Sequence, residues 1–446
     1  DSLTGHGYST RGLGSNAAAL AYSDRLQKKQ RTQIKAISAE LGVTLPVRYQ
    51  FTIGVNGVAT SVPYGEVEAI RAMDGVESVY VENQYEPDVD EPNTATAGTM
   101  IGSYNAWADG YTGAGSRVAI IDTGLDIDHP SFDESAFLYG LERSAARFGK
   151  QVSDYDLMTE EDITKVLPRL HASERMSGLT ADELYRTAKI PYAFNYIDED
   201  LDVTHDNDAQ GDHGTHVAGI VAANPADGSV TGVAPQAQLM ILKVFPDGST
   251  GANSDDILAA LEDCVTLGVD VVNLSLGSPA GFTYRSDLLS TMEVYDRLAK
   301  AGIIVAAAAG NEYSAAYKNL WGTDLSLTSN PDYGIVGSPS SYSQTLSVAS
   351  ADNVTVRSAY FEAAGRKITF TDTATTNNPE GGFIRVLGGK TLDYVVVPGS
   401  GEEADYANLN VKGKVALVSR GVTTFAEKHE MAHAKGAAAC IVYNTE

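Results

Sequence analysis

The chain has little cysteine and no long apolar run. Cys264 and Cys440 are the two cysteines among 446 residues, which excludes the disulfide framework of a small secreted domain. Both lie in apolar stretches, LEDCVTLGVDVV and GAAACIVY, that are typical of core elements. Nowhere do eighteen apolar residues follow one another, and the opening DSLTGHGYSTRG has no charged start followed by an apolar stretch. We expect that any signal peptide has already been removed.

Basic residues are also scarce. Lys and Arg total 32 against 58 Asp and Glu, a formal net charge of -26, so the field around the chain repels phosphate backbones and anionic lipid surfaces. Nucleic acid is therefore excluded as an expected partner. The apolar fraction of 43% and the excess of 43 Gly over 15 Pro indicate a globular, turn-rich protein. The length predicts roughly three domains, at about 150 residues each.

The pattern along the chain gives their boundaries. Apolar residues at helical spacing predict helical structure from about residue 15 to about residue 41. The segments 49–62, 65–73 and 76–82 predict a small ββαβ unit. The acidic stretch QYEPDVDEPNTATAG over 84–98, with Pro87 and Pro92, is too polar to bury and is typical of a linker or cleavage region, with a domain boundary near residues 88–97. We therefore predict an N-terminal domain over 1–95, a catalytic domain over 96–355 and a truncated β-rich domain over 356–446.

The central region alternates apolar strands with helices. Its segments RVAIIDTG, HGTHVAGIVAA, AQLMILKVF, VDVVNLSLG and IIVAAAAGN are typical of an α/β fold whose parallel sheet is covered on both faces. Functional groups should then lie at the carboxyl ends of the strands. A charged stretch over 134–189 interrupts this rhythm and is predicted to be a surface insertion.

Three polar residues stand where such strands and helices meet. Asp122 follows a buried strand, His213 begins a helix, and Asn311 ends the segment VAAAAGN. Taken singly, each has an ordinary structural explanation as a turn, cap or hydrogen-bonding residue. His216 is expected to be such a structural residue. Together, the first three supply an acid, a base and an amide that can stabilise an anion.

The order of these segments, with their flanks, resembles the subtilisin family of serine proteases, and over about residues 100–352 it is most similar to the cell-envelope proteinases of the lactocepin type. IPYAFNY, GVAPQAQLMILKVF and VVNLSLGS carry that likeness. The resemblance implies that Asp122 is the triad acid, His213 the general base and Asn311 the oxyanion donor. It also implies that Ser275, Leu276 and Gly277 form the strand that pairs with the substrate backbone.

The resemblance extends to both ends of the chain. Residues 48–82 resemble the inhibitory propeptide of subtilisins, which implies a zymogen, and KGKVALVSRG with GAAACIVYN resembles an inserted protease-associated domain. One family element is missing, because no GTS segment bearing the nucleophilic serine occurs in the sequence. We expect that serine beyond residue 446, in the remainder of the same precursor or on a companion chain.

Two alternative interpretations remain open. HEMAH at 429–433 matches the zinc-binding HExxH pattern through His429, Glu430 and His433, although no third ligand follows in the sequence. A catalytically inactive homologue that binds peptides in the same cleft is a second alternative, favoured by the missing serine.

The acidic run DEDLDVTHDND at 198–208 makes calcium the candidate structural ion, and no cofactor is expected to be required. The expected partners are protein or peptide substrates. The expected location is extracellular, secreted or attached to a bacterial cell wall.

Overall fold

The computed structural model describes the chain in two units. Residues 1–354 form one and residues 355–446 the other. The residues described are 2–8, 13, 16–80, 84–87, 97–204, 212–228, 230–247, 251–278, 294–311, 336–351, 359–370, 382–421 and 423–444.

The N-terminal segment, defined here as residues 1–95, begins with a single long helix, α1 (Ala17–Leu41). The Asn16 side chain caps its first turn by accepting hydrogen bonds from two backbone amides, and Gly42 ends it with a φ of 66°. The segment continues with β1 (Val47–Phe51), β2 (Gly57–Thr60), α2 (Val67–Arg71) and β3 (Gln84–Pro87). The prediction of a strand over 76–82 was wrong for the described residues 76–80, which form no strand; residues 81 and 82 lie outside the described part. The start of the predicted linker over 84–98 was also wrong, because residues 84–87 form β3 and pair with β7 and β9.

A parallel six-stranded sheet forms the centre of the first unit. Its strands are β4 (Arg117–Asp122), β5 (Tyr192–Asn195), β6 (Gln238–Lys243), β8 (Val271–Leu274), β10 (Ile304–Ala308) and β11 (Leu346–Val348), in the spatial order β11-β10-β8-β4-β6-β5. Every residue of β5 and β6 is buried, as expected for a sheet covered on both faces. The predicted α/β class and parallel sheet are confirmed.

The remaining elements of this unit are helices and two short strands. They are α3 (Ala97–Ile101), α4 (Ser103–Ala108), α5 (Glu134–Arg147), α6 (Glu160–Val166), α7 (His171–Arg175), α8 (Ala181–Leu184), α9 (His213–Ala222), β7 (Ala252–Asn253), α10 (Ser254–Thr266), β9 (Leu276–Gly277) and the described helical residues 294–300, here α11.

The inserted segment, residues 134–189, does not lie only on the surface as predicted. It forms helices α5 to α8 and buries Phe137, Ile163, Leu170 and Leu184 completely, three of them in the same hydrophobic core as the sheet. Its apolar residues, at helical spacing, face inward, whereas charged residues such as Glu142 and Arg143 face solvent. His171 and Lys189 are buried exceptions. The overall composition of the segment does not reveal this amphipathic pattern. The inserted segment is part of the folded first unit.

The second unit has its own core. Strands β12 (Ala359–Ala363) and β13 (Arg366–Phe370) form an antiparallel hairpin, followed by α12 (Phe383–Leu387). Strands β14 (Tyr394–Val397), β15 (Val415–Ser419) and β16 (Ala439–Tyr443) then form a parallel sheet, with α13 (Phe425–Ala434) between the last two.

Candidate active site

The acid and base predicted from the sequence are in direct contact. Asp122 is the last residue of β4 and His213 the first residue of α9. The distance between His213 Nδ1 and Asp122 Oδ1 is 2.7 Å, and the two residues are only 8% and 1% exposed. A buried carboxylate so placed fixes one tautomer of the imidazole and stabilises its protonated form.

The turn after β4 holds the carboxylate in place. The backbone N–H of Thr123 donates to Asp122 Oδ1 over 2.7 Å, and the hydroxyl of Thr123 accepts from the backbone N–H of Gly214 over 2.9 Å. The buried ammonium of Lys243, at the end of the neighbouring strand β6, donates to the carbonyl oxygen of Thr123 over 2.8 Å. The turn is thus tied both to the sheet and to the first turn of α9, which carries the histidine.

Close packing of α9 against β4 requires glycine at position 214. A Cβ there would overlap the carbonyl oxygen of Gly124 and lie 3.2 Å from Asp122 Oδ1. At Gly219, in the same helix, a Cβ would have no such neighbour within 4 Å. A methyl group at position 214 would therefore clash with the turn after β4, whereas one at position 219 would not.

We expect Gly214→Ala to destabilise the full chain by about 1–3 kcal/mol, because the helix must move away from the strand. Gly219→Ala is the matched control and should stabilise by about 0.5–1 kcal/mol, since alanine favours the helical backbone. Calorimetric unfolding of the two variants measures this difference. Equal behaviour of the two would contradict the tight packing at residue 214.

The other predicted residues lie on the same edge of the sheet. Asn311 is exposed and follows β10 by three residues, and β10 is separated from β4 by β8 alone. The carboxyl ends of parallel strands share one edge, so Asn311 and Asp122 lie at the same edge of the sheet. Leu276 and Gly277 form β9, and Ser275 Oγ donates to Asn273 Oδ1 over 3.0 Å.

A strand of the N-terminal segment occupies the space between β7 and β9. Strand β3 pairs antiparallel with both, through Gln84 opposite Asn253 and Glu86 opposite Gly277. An extended chain that completes a sheet in this way uses the hydrogen-bonding pattern of a bound peptide. The predicted substrate strand is therefore paired with backbone of the same chain.

The structure lends no support to the zinc alternative. His429, Glu430 and His433 lie on α13, and the described residues contain no group of three or more His, Cys, Asp or Glu side chains that could hold a metal ion. The candidate calcium run 198–208 lies partly outside the described residues. His216, expected to be structural, is half-exposed and pairs with Asp212 at 3.2 Å.

Sequence reasoning missed a buried charged cluster where the N-terminal segment meets α7 and α10. His171 of α7 lies between Glu174 and Glu262, and Asp263 is fully buried beside it. These residues are far apart in sequence and match no motif. The one available signal was the presence of acidic residues inside the apolar repeat of α10, LEDCVTLG.

Comparison with known proteins identifies the family. A model of the subtilase family matches residues 113–435, more than half of the chain. The chain belongs to the subtilase family. This subtilase is 31% identical over 95% of its length to the PII-type proteinase of Lacticaseibacillus paracasei and to the PIII-type proteinase of Lactococcus lactis subsp. cremoris (strain SK11), and it covers 21% of each.

A third relative is shorter. The minor extracellular protease Vpr of Bacillus subtilis (strain 168) is 27% identical over 94% of this chain, which covers 44% of that protein. The subtilase chain therefore spans less than half of each of these relatives. The predicted recognition of the subtilisin family is confirmed.

Proposed function

We propose that this subtilase chain supplies the acid and base of a serine endopeptidase that hydrolyses peptide bonds in proteins. The observation that carries the proposal is the 2.7 Å contact between Asp122 and His213, buried at the carboxyl edge of the parallel sheet. Membership of the subtilase family and similarity to proteinases support it.

The geometry suits proton transfer by His213. Asp122 accepts the hydrogen bond of Nδ1–H, so the lone pair of Nε2 is the base that takes the serine proton as the serine oxygen bonds to the peptide carbonyl carbon. The negative charge then develops on the carbonyl oxygen, where the amide of Asn311 is proposed to donate a hydrogen bond. His213 returns its proton to the leaving amine as the C–N bond breaks, and water hydrolyses the acyl-enzyme in the reverse sequence.

The nucleophilic serine is proposed to lie beyond residue 446 of the same precursor or on a companion polypeptide. The sequence contains no GTS segment, while the chain covers only 21% of its longer relatives. A second candidate function is that of an inactive homologue that binds peptides along β7 and β9, where β3 is already paired as an extended strand. Both functions use the same cleft and differ in whether a bond is cut.

The N-terminal segment is proposed to be the propeptide of a zymogen. Its strand β3 pairs antiparallel with β7 and with β9, where its partners are Leu276 and Gly277, and this is the place where a substrate strand would pair. Removal of this strand would open the cleft. Residues 356–446 are proposed to be a protease-associated domain.

The proposed location is outside a bacterial cell, secreted or attached to the wall, with protein substrates. The name of the Bacillus subtilis relative, an extracellular protease, supports it. Among the described residues, no helix has both the length and the apolar character needed to cross a membrane. Calcium is the proposed structural ion, and no cofactor is required for the chemistry described.

Labelling with a fluorophosphonate tests the function. The reagent bonds to an activated serine oxygen with loss of fluoride, so the native secreted protein that contains this chain should be labelled at one serine outside residues 1–446. Peptide mapping by mass spectrometry locates the label, and His213→Ala should abolish it. Peptide binding by an unlabelled protein would instead establish the inactive homologue.

A further inference from the structure

A fully buried lysine lies beside the acid of the candidate active site. Lys243 ends strand β6 and is the register partner of Asp122, which ends the neighbouring parallel strand β4. The side chain of Lys243 is 0% exposed. Burying an ammonium group is costly unless its N–H groups are hydrogen-bonded, so the contacts of this group indicate what it does.

Lys243 and Asp122 point to the same face of the sheet. Side chains alternate along a strand, and Ile120 and Ile241, two residues before each of them, pack in the hydrophobic core that α9 also joins. Asp122 contacts His213 of α9 on this face. The lysine therefore lies on the face of the sheet that carries the pair of Asp122 and His213.

The ammonium of Lys243 is connected to this pair through Thr123. Its Nζ donates to the carbonyl oxygen of Thr123 over 2.8 Å. The backbone N–H of Thr123 donates to Asp122 Oδ1, and its hydroxyl accepts from the backbone N–H of Gly214, the residue after the histidine. One threonine thus joins the lysine, the carboxylate and the first turn of α9.

The turn after β4 fits closely around the lysine side chain. Gly124 has a φ of 116°, a left-handed conformation that glycine adopts without steric cost. A Cβ at this position would lie 3.2 Å from Lys243 Cδ and 2.2 Å from the carbonyl oxygen of Val203, which also accepts from the backbone N–H of Leu125 over 2.7 Å. The position of the turn therefore depends on the side chain of Lys243 as well as on the backbone at Val203.

Carboxylates nearer the surface compensate the buried charge. Asp247, 42% exposed, pairs with the ammonium of Lys243 at 3.2 Å. Hydrogen bonds from Thr204 lower the pKa of Asp202, and the charge of Lys243 adds to this effect. A buried ammonium compensated in this way keeps its charge and directs an N–H group at Thr123.

We propose that Lys243 is a positioning residue for the pair of Asp122 and His213, holding Thr123 so that the carboxylate and the imidazole keep their 2.7 Å contact. The lysine acts through Thr123 and takes no part in bond making or breaking. A catalytic group displaced by about 1 Å can slow a reaction about a hundredfold. The expected effect on turnover rests on the proposed function, whereas the effect on the contact itself does not.

Proton NMR of the full chain observes this contact directly. A proton between imidazole Nδ1 and a buried carboxylate resonates far downfield of ordinary N–H protons, and ¹⁵N labelling of histidine together with His213→Ala assigns it. Lys243→Met has a side chain of similar length without the N–H donors, and it should broaden this resonance beyond detection or move it upfield. In the complete, serine-containing enzyme the same change should lower kcat about 10–100-fold and leave KM within about twofold.

Lys189→Met is the matched control. Lys189 is also 0% exposed, and its ammonium donates to two backbone carbonyl oxygens, those of Pro235 and Ala237, next to the amino end of β6. Calorimetric unfolding should show a loss of stability in both methionine variants. Lys189→Met should nevertheless keep the downfield resonance, and its kcat should stay within about threefold of the wild type.

Two outcomes would overturn the inference. One is an unchanged resonance and kcat in a folded Lys243→Met protein, and the other is an equal loss of both in Lys189→Met. If Lys243→Met does not fold, Lys243→Gln replaces it, since glutamine keeps an N–H donor on a side chain one bond shorter, and the same changes are expected at smaller size. Failure of the proposed protease function would show as absent fluorophosphonate labelling, whereas the resonance is measured on residues 1–446 and requires no serine nucleophile.

Discussion

His213→Ala should lower kcat of the complete, serine-containing enzyme by about a millionfold, the size of the loss measured for the equivalent change in subtilisin itself. The reason is that no other base lies against Asp122: Oδ1 accepts from His213 and Thr123, and Oδ2 has no hydrogen-bond partner among the described residues. Hydrolysis of a chromogenic peptide amide measures kcat.

His216→Ala is the matched control for that experiment. His216 lies in the same helix, is half-exposed and contacts Asp212 rather than Asp122, so kcat should stay within a factor of about two. Asp122→Asn should lower kcat by about ten-thousandfold, because the amide favours the wrong tautomer of the histidine. A His213→Ala enzyme within tenfold of the wild type would place the general base elsewhere.

Glu262→Ala should weaken docking of the N-terminal segment by about a thousandfold. The change leaves the four backbone N–H groups of residues 52–55 without their acceptor, and each buried, unsatisfied donor costs about 1–3 kcal/mol. Water entering the space offsets part of this cost, so a net loss of about 4 kcal/mol is expected, which is a factor of about a thousand. Exchange protection of residues 52–55 measures it.

Two further variants test whether loss of the acceptor oxygens of Glu262 causes the effect. Glu262→Gln keeps one oxygen acceptor and should lose less protection than alanine. Glu142→Ala, which removes an exposed carboxylate of α5, should leave residues 52–55 fully protected. If Glu262→Ala kept wild-type protection, the loop 52–55 would be held by its other contacts, such as the hydrogen bond from Arg297 to the carbonyl oxygen of Gly54.

The parallel sheet and the position of the acid and base were predictable because they depend on local sequence. A continuous apolar strand followed by Asp122, and a helix starting at His213, place polar groups at the carboxyl edge of such a sheet in any α/β fold. The family resemblance added roles for Asn311 and for Ser275, Leu276 and Gly277. Those roles and the three-domain division remain predictions.

Predictions failed where local pattern and packing disagree. Residues 76–80 include two valines and a tyrosine, residue types that favour strands, yet this segment forms no strand. The inserted segment is polar in composition, yet Phe137 and Ile163 are buried because a helix can hide one face while exposing the other.

By itself, the sequence determined the family, the α/β class and the pair of Asp122 and His213, since each depends on short runs of neighbouring residues. Tertiary structure alone decided that Glu262 holds loop 52–55 and that His171 joins it. Those partners are separated by 91 to 210 positions along the chain, so no periodicity or motif connects them. Their charges interact strongly only because folding buries them together, where water screens them little.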